Sequence, residues 1–65
     1  QRQRRIEQIE AEIEALEAAI AAVEAELADP AVYLDYLLLQ EKQRLLDEKR
    51  AALEAAFAEW ERLMA

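Results

Sequence analysis

The first half of the chain carries an unbroken heptad pattern of apolar residues. Large aliphatic side chains recur at alternating spacings of three and four, and the positions between them are mostly Glu and Ala. Since the apolar seam is narrow, it is typical of a helix that faces one partner helix. The pattern predicts a helix over about residues 3–28, with a seam formed by Ile6, Ile9, Ile13, Leu16, Ile20, Val23 and Leu27.

A single proline divides the chain. The first helix must end before Pro30, because the residue before a proline is disfavoured in the α region. Asp29 and Pro30 are also typical of a helix start, since Asp caps free amides and proline at the first position needs no donor. We therefore expect a corner at residues 29–32 and a second helix over about residues 33–64, which begins at about Tyr33 or Tyr36. Its apolar seam repeats every seven residues at Leu39, Leu46, Leu53 and Trp60.

Antiparallel pairing about this corner aligns the two seams. It brings together residues whose numbers sum to about 66, so that Leu27 lies opposite Leu39 and Ile6 lies opposite Trp60. The seams then match along their whole length. The sequence predicts an all-α fold, an antiparallel two-helix coiled-coil hairpin, in one domain over residues 1–65.

The charged residues favour the same pairing. Seven acids and no base lie between Ile6 and Ala28, whereas the second helix carries a group of basic residues. Exposed ion pairs are weak, but they select register and orientation. In this register we expect Lys42 to approach Glu24 and Glu26, Lys49 or Arg50 to approach Glu17, and Arg5 to approach Glu59 and Glu61.

The composition excludes most catalytic and cofactor chemistry. The chain has no Gly, Cys or His, which removes phosphate-binding glycine loops, thiol nucleophiles and imidazole bases. Carboxylates are abundant, but their pKa values can be tuned apart only in a pocket, which a two-helix hairpin does not provide. We expect no catalytic residue, no cofactor and no metal site. We also expect no membrane partner, since no apolar run is long enough to span a bilayer.

Two groups of basic residues stand out in a chain of net charge −7. Three arginines lie at the amino terminus, and a second group lies midway along the second helix. Such groups can contact nucleic-acid phosphates. They can equally neutralise the acids of the first helix, with the arginines as part of a linker. Both interpretations stay open for Arg2, Arg4, Arg5, Lys42, Arg44, Lys49 and Arg50.

The remaining apolar residues suggest an interaction surface. Tyr33 and Tyr36 could stack on bases, but we expect them to close the corner of the hairpin as an apolar plug. Trp60 is expected in the core. The second helix has more leucines than the narrow seam of the first can cover, which favours either self-association into a four-helix arrangement or docking onto another domain. This surplus consists of Leu37, Leu38, Leu39, Leu45 and Leu46.

Several short motifs resemble one known family. The heptad helix ends in Leu27-Ala28-Asp29-Pro30, Tyr33 follows, and the chain closes with Trp60-Glu61-Arg62-Leu63. Over roughly Ile6 to Leu63 the sequence resembles the carboxy-terminal coiled-coil domain of ABC-F ATPases, the Uup-type soluble ABC proteins. The stretch 33–43 departs from the family pattern, because it is richer in leucine.

The resemblance implies a fragment of a larger cytoplasmic ATPase, since family members carry two ATP-binding cassettes and act on ribosomes. It implies a non-catalytic accessory domain that supports the ATPase domains of its parent and makes weak, non-sequence-specific contacts with DNA or ribosomal RNA. The alternative is a structural or protein-interaction hairpin, natural or designed, that self-associates through the second helix. The candidate nucleic-acid-binding residues are Arg2, Arg4, Arg5, Lys42, Arg44, Lys49, Arg50 and Arg62.

Overall fold

The computed structural model describes residues 1–65 and is entirely helical. Helix α1 spans Arg2–Leu27, the short helix α2 spans Pro30–Tyr33, and helix α3 spans Tyr36–Met64. The molecule is elongated, with extents of 47 × 14 × 14 Å. The two long helices therefore account for its length and lie side by side.

The segment between the long helices contains more structure than a simple corner. Asp29 caps α2 as its sequence predicts: its backbone is extended and its carboxylate accepts a hydrogen bond from the amide of Ala31 at 2.9 Å. Pro30 occupies the first turn of that helix. The predicted corner at residues 29–32 is therefore largely a short helical turn.

A second cap delays the start of α3. Asp35 is again extended, with φ −103° and ψ 107°, and its carboxylate accepts from the amide of Leu38 at 3.1 Å. The second long helix therefore begins at Tyr36, the later of the two expected starts. The physical reason is that Asp35 competes for backbone amides just as Asp29 does.

The core follows the predicted seam of α1. The buried residues of this helix are Ile6, Ile9, Ile13, Ile20 and Val23, all of them seam positions. Leu16 and Leu27 at the remaining seam positions are half-buried. Since no charged or polar residue is buried, the buried part of the contact between α1 and α3 is entirely apolar.

Two clusters make up this strip. In the first, Ile9 and Ile13 surround Ala56, and the half-buried neighbours are Leu16, Leu53, Trp60 and Leu63. In the second, Ile20 and Val23 pack on Leu46, with Leu27, Leu45 and Leu53 beside them. The first half of α1 thus contacts the second half of α3, and the second half of α1 contacts the first half of α3.

Candidate nucleic-acid interface

The eight basic side chains lie in two separate places. Arg2, Arg4 and Arg5 begin α1, and contacts between the chain ends bring Arg62 to the same end of the molecule. We call these four residues the terminal cluster. Lys42, Arg44, Lys49 and Arg50 lie in the first half of α3 and form the middle band.

Arg2 donates hydrogen bonds to the carboxyl end of α3. Its Nε donates a hydrogen bond to the carbonyl of Leu63 at 2.7 Å, and a terminal guanidinium nitrogen lies 3.5 Å from the oxygen of Ala65. The last carbonyl groups of a helix have no partner within the helix, and a cation there also interacts favourably with the helix dipole. Arg2 therefore caps the carboxyl end of α3, a role that the sequence analysis did not anticipate.

Arg5 forms a two-point ion pair across the helices. Its Nε and a terminal nitrogen donate to the two carboxylate oxygens of Glu59 at 2.8 and 2.9 Å, as expected from the predicted register. This hydrogen bonding raises the pKa of Arg5 and holds the pKa of Glu59 below its usual value. Glu12 adds a weaker contact at 3.6 Å. The charge of Arg5 is thus largely satisfied within the chain.

Two members of the middle band also pair with α1. Lys42 Nζ lies 2.7 Å from a carboxylate oxygen of Glu26, and the hydrogen bond to this carboxylate raises the pKa of the lysine. Arg50 donates to Glu24 at 2.9 Å. The expected pairing of Lys49 or Arg50 with Glu17 is wrong for Arg50, because Glu24 lies two turns closer to the end of α1 and its carboxylate is within reach.

Four of the eight basic side chains neither form an ion pair nor cap a helix. No acidic oxygen lies within 4 Å of their charged nitrogens, although Arg62 lies close enough to Glu59 to help lower the pKa of that carboxyl. Lys49 is half-buried, and the other three are exposed. The side chains available to an external phosphate are Arg4, Arg44, Lys49 and Arg62.

The aromatic residues divide between the two ends of the molecule. Trp60 is half-buried against the first core cluster, as expected, and its indole N–H donates to a carboxylate oxygen of Glu10 at 3.0 Å. The expectation that Tyr33 and Tyr36 form a buried plug is wrong: they are 46% and 69% exposed. Val32 is instead the buried residue of this segment.

The acidic residues stay dispersed over the surface. The structure has no pocket and no group of three residues that could hold a metal ion. Neither long helix contains a stretch sufficiently apolar and uncharged to cross a bilayer. The side chains best placed to bind a partner are the unpaired basic residues and the exposed apolar residues.

Comparison with known proteins decides the family. The family model of the ABC transporter C-terminal domain matches residues 1–65. The chain belongs to this family. The match confirms the resemblance to the C-terminal domain of ABC-F ATPases that its Asp-Pro-x-x-Tyr and Trp-Glu-x-Leu motifs indicate. As an ABC transporter C-terminal domain, the chain is an accessory domain of ABC proteins. No curated protein and no solved structure matches it.

Proposed function

We propose that this chain is a non-catalytic accessory domain of a cytoplasmic ABC-F ATPase that supports the ATPase domains of its parent and contacts DNA or ribosomal RNA weakly. Family membership supports the accessory role. The observation that carries the nucleic-acid contact is the set of four basic side chains without an ion-pair partner. Charges already neutralised by neighbouring carboxylates contribute little to phosphate binding, so these four side chains carry it.

In this proposal the long helices form an antiparallel coiled-coil hairpin. The polar contacts between them support this, because residues in the first half of α1 contact the last turns of α3, and residues near the end of α1 contact the first half of α3. The heptad seams, with their matching apolar clusters, support it as well. The contacts pair Arg5 with Glu59, Glu10 with Trp60, Glu24 with Arg50, and Glu26 with Lys42.

The spacing of the unpaired bases suits a backbone contact. Arg44 and Arg62 are eighteen residues apart, which is five helical turns, so they share one face of α3 at a separation of about 27 Å. Arg4 lies at the same end of the molecule as Arg62. Glu48 lies four residues after Arg44, and Glu59 lies three residues before Arg62, so each of these bases has an acidic neighbour on the helix. We therefore expect weak affinity for nucleic acid. No base-reading set of side chains is present, so we expect no sequence preference.

Salt dependence tests the proposal. Each phosphate neutralised contributes about −0.9 to the log–log slope of affinity against salt on duplex DNA, so the chain should show a slope of about −2 to −4. The measurement is an anisotropy titration against labelled duplex DNA and structured RNA at several salt concentrations. Replacing both Arg44 and Arg62 with Gln should reduce the magnitude of the DNA slope by up to about 2.

A matched variant controls for the loss of charge. Lys42→Gln with Arg50→Gln removes the same two charges, but from side chains that already pair with Glu26 and Glu24. Its slope should stay closer to that of the unmodified chain. Equal slopes for both double variants would refute the assignment to the unpaired bases, and circular dichroism confirms that each variant keeps its helices.

The second candidate function is a structural hairpin that self-associates through α3. The partial exposure of leucines along this helix favours it: Leu38, Leu39 and Leu45 are only half-buried. This candidate predicts no salt-dependent nucleic-acid binding and full tolerance of Arg44→Glu. Sedimentation equilibrium over a wide concentration range would then show a dimer that Leu38→Gln weakens.

A further inference from the structure

Four of the six large apolar side chains that are exposed lie together at one end of the molecule. Tyr33, Leu34, Tyr36 and Leu37 fall within five consecutive residues, and both leucines are at least three-quarters exposed. We call residues 29–37 the tip. Single exposed apolar residues are ordinary, but a concentration of large ones marks an interaction site. The proposed function, which uses basic side chains elsewhere, leaves this surface without a role.

The tip is held in place before any partner arrives. Asp29 and Asp35 cap the two helices that begin there, and the amide of Tyr33 donates to the Asp29 carbonyl at 3.0 Å. Val32 anchors the segment in the core. The hydroxyl of Tyr36 accepts a hydrogen bond from Gln40 at 2.8 Å, which fixes an otherwise exposed ring. Little further ordering is needed on binding, so exposed apolar area can contribute directly to affinity.

The charges around the tip select the partner. No Lys or Arg occurs from Ile6 through Glu41. Three carboxylates without an ion-pair partner border the apolar side chains in sequence: Asp29, Asp35 and Glu41. Such a border repels nucleic-acid phosphates, an anionic membrane and the identical tip of a second copy. It complements basic side chains.

We propose that the tip docks onto a protein surface that offers an apolar patch bordered by Lys or Arg side chains. The tyrosines and leucines pack on this patch, since large apolar and aromatic side chains provide most of the energy of such contacts. The aspartates pair with the basic border and orient the hairpin end-on. The partner thus engages the end of the molecule opposite the terminal cluster.

An amphipathic helical peptide of leucine and lysine serves as the probe. Titrated into the ¹⁵N-labelled chain, it should shift the amide signals of residues 31–38 at saturation. Tyr36→Ala with Leu37→Ala should weaken its affinity about tenfold. Phe57→Ala with Met64→Ala, which removes exposed apolar side chains remote in sequence from the tip, should leave the affinity within about twofold. A peptide with glutamate in place of lysine should not bind.

The caps allow the charge to be tested separately from the fold. Asn caps a helix about as well as Asp. Asp29→Asn with Asp35→Asn should therefore keep the helices and weaken peptide binding about threefold or more.

Four results would overturn the proposal. The first is equal affinity of the peptide for the two apolar double variants, and the second is peptide-induced shifts confined to the sides of the long helices. The third is a shift of the tip signals with protein concentration alone, which would indicate a second copy as the partner. The fourth is tip-dependent binding to phosphatidylglycerol vesicles or to structured RNA.

Discussion

Replacing Ile9 with Ala should cost the molecule a large part of its stability. Ile9 is the most deeply buried side chain, at 1% exposure, and it packs with Ile13 and Ala56 in the first core cluster. The substitution removes three carbon atoms, worth about 2.4 kcal/mol at about 0.8 kcal/mol per buried group. Part of the cavity that remains can collapse, because a two-helix strip is open at its sides, so the cost should stay near about 2–3 kcal/mol.

The assay is thermal and urea unfolding followed by circular dichroism. For a domain of this size, each kcal/mol shifts Tm by roughly 4–8 °C, so Ile9→Ala should lower Tm by roughly 10–20 °C. Leu37→Ala is the matched control, because it removes the same number of carbon atoms from a side chain that is 75% exposed. It should change stability by less than about 0.5 kcal/mol. Equal losses for the two variants would refute the packing of the core described here.

Two further predictions concern polar groups. The pKa of Glu59 is lowered by its hydrogen bond from Arg5, so this pair stabilises the folded state above the ordinary carboxyl value of 4.5 and loses that effect as pH falls through the lower folded pKa. Urea unfolding at a series of pH values should thus show that the free energy of unfolding falls less in acid for Glu59→Gln than for Glu54→Gln. Glu54 is the control, because its carboxylate is exposed and forms no ion pair. Identical profiles for the two variants would contradict the pairing. Asp35→Ala should lower stability by about 1 kcal/mol, whereas Asp35→Asn should change it by a few tenths, and equal losses would exclude the cap as the cause.

The core of α1 was predictable because periodicity and burial have the same cause. A helix that buries one stripe must place apolar residues at spacings of three and four, and every buried residue of α1 occupies such a position. The ion pair of Arg5 with Glu59 followed from the same register. Family membership was predictable from Asp29-Pro30 and the late Trp60, since these residues are far less common than a heptad.

The end of the molecule between the long helices was harder to predict. Asp35 has the same chemistry as Asp29, but without a following proline its capping role was not evident, so the sequence left the start of α3 open between Tyr33 and Tyr36. Tyr36, the first residue after that cap, is exposed, which its apolar ring did not indicate. Arg50 pairs with Glu24 because their side chains can reach each other, which the heptad register alone does not determine.

One distance tests the pairing of the long helices most directly. The chain has no Cys, so nitroxide labels can be placed at Gln3→Cys and Glu61→Cys, both exposed positions. Double electron–electron resonance should give a separation below about 25 Å between the two labels, since paired helices lie about 10 Å apart and the labels add their own length. Dilution with unlabelled chain removes distances between molecules. A separation near about 87 Å, that of one continuous helix, would contradict the antiparallel hairpin.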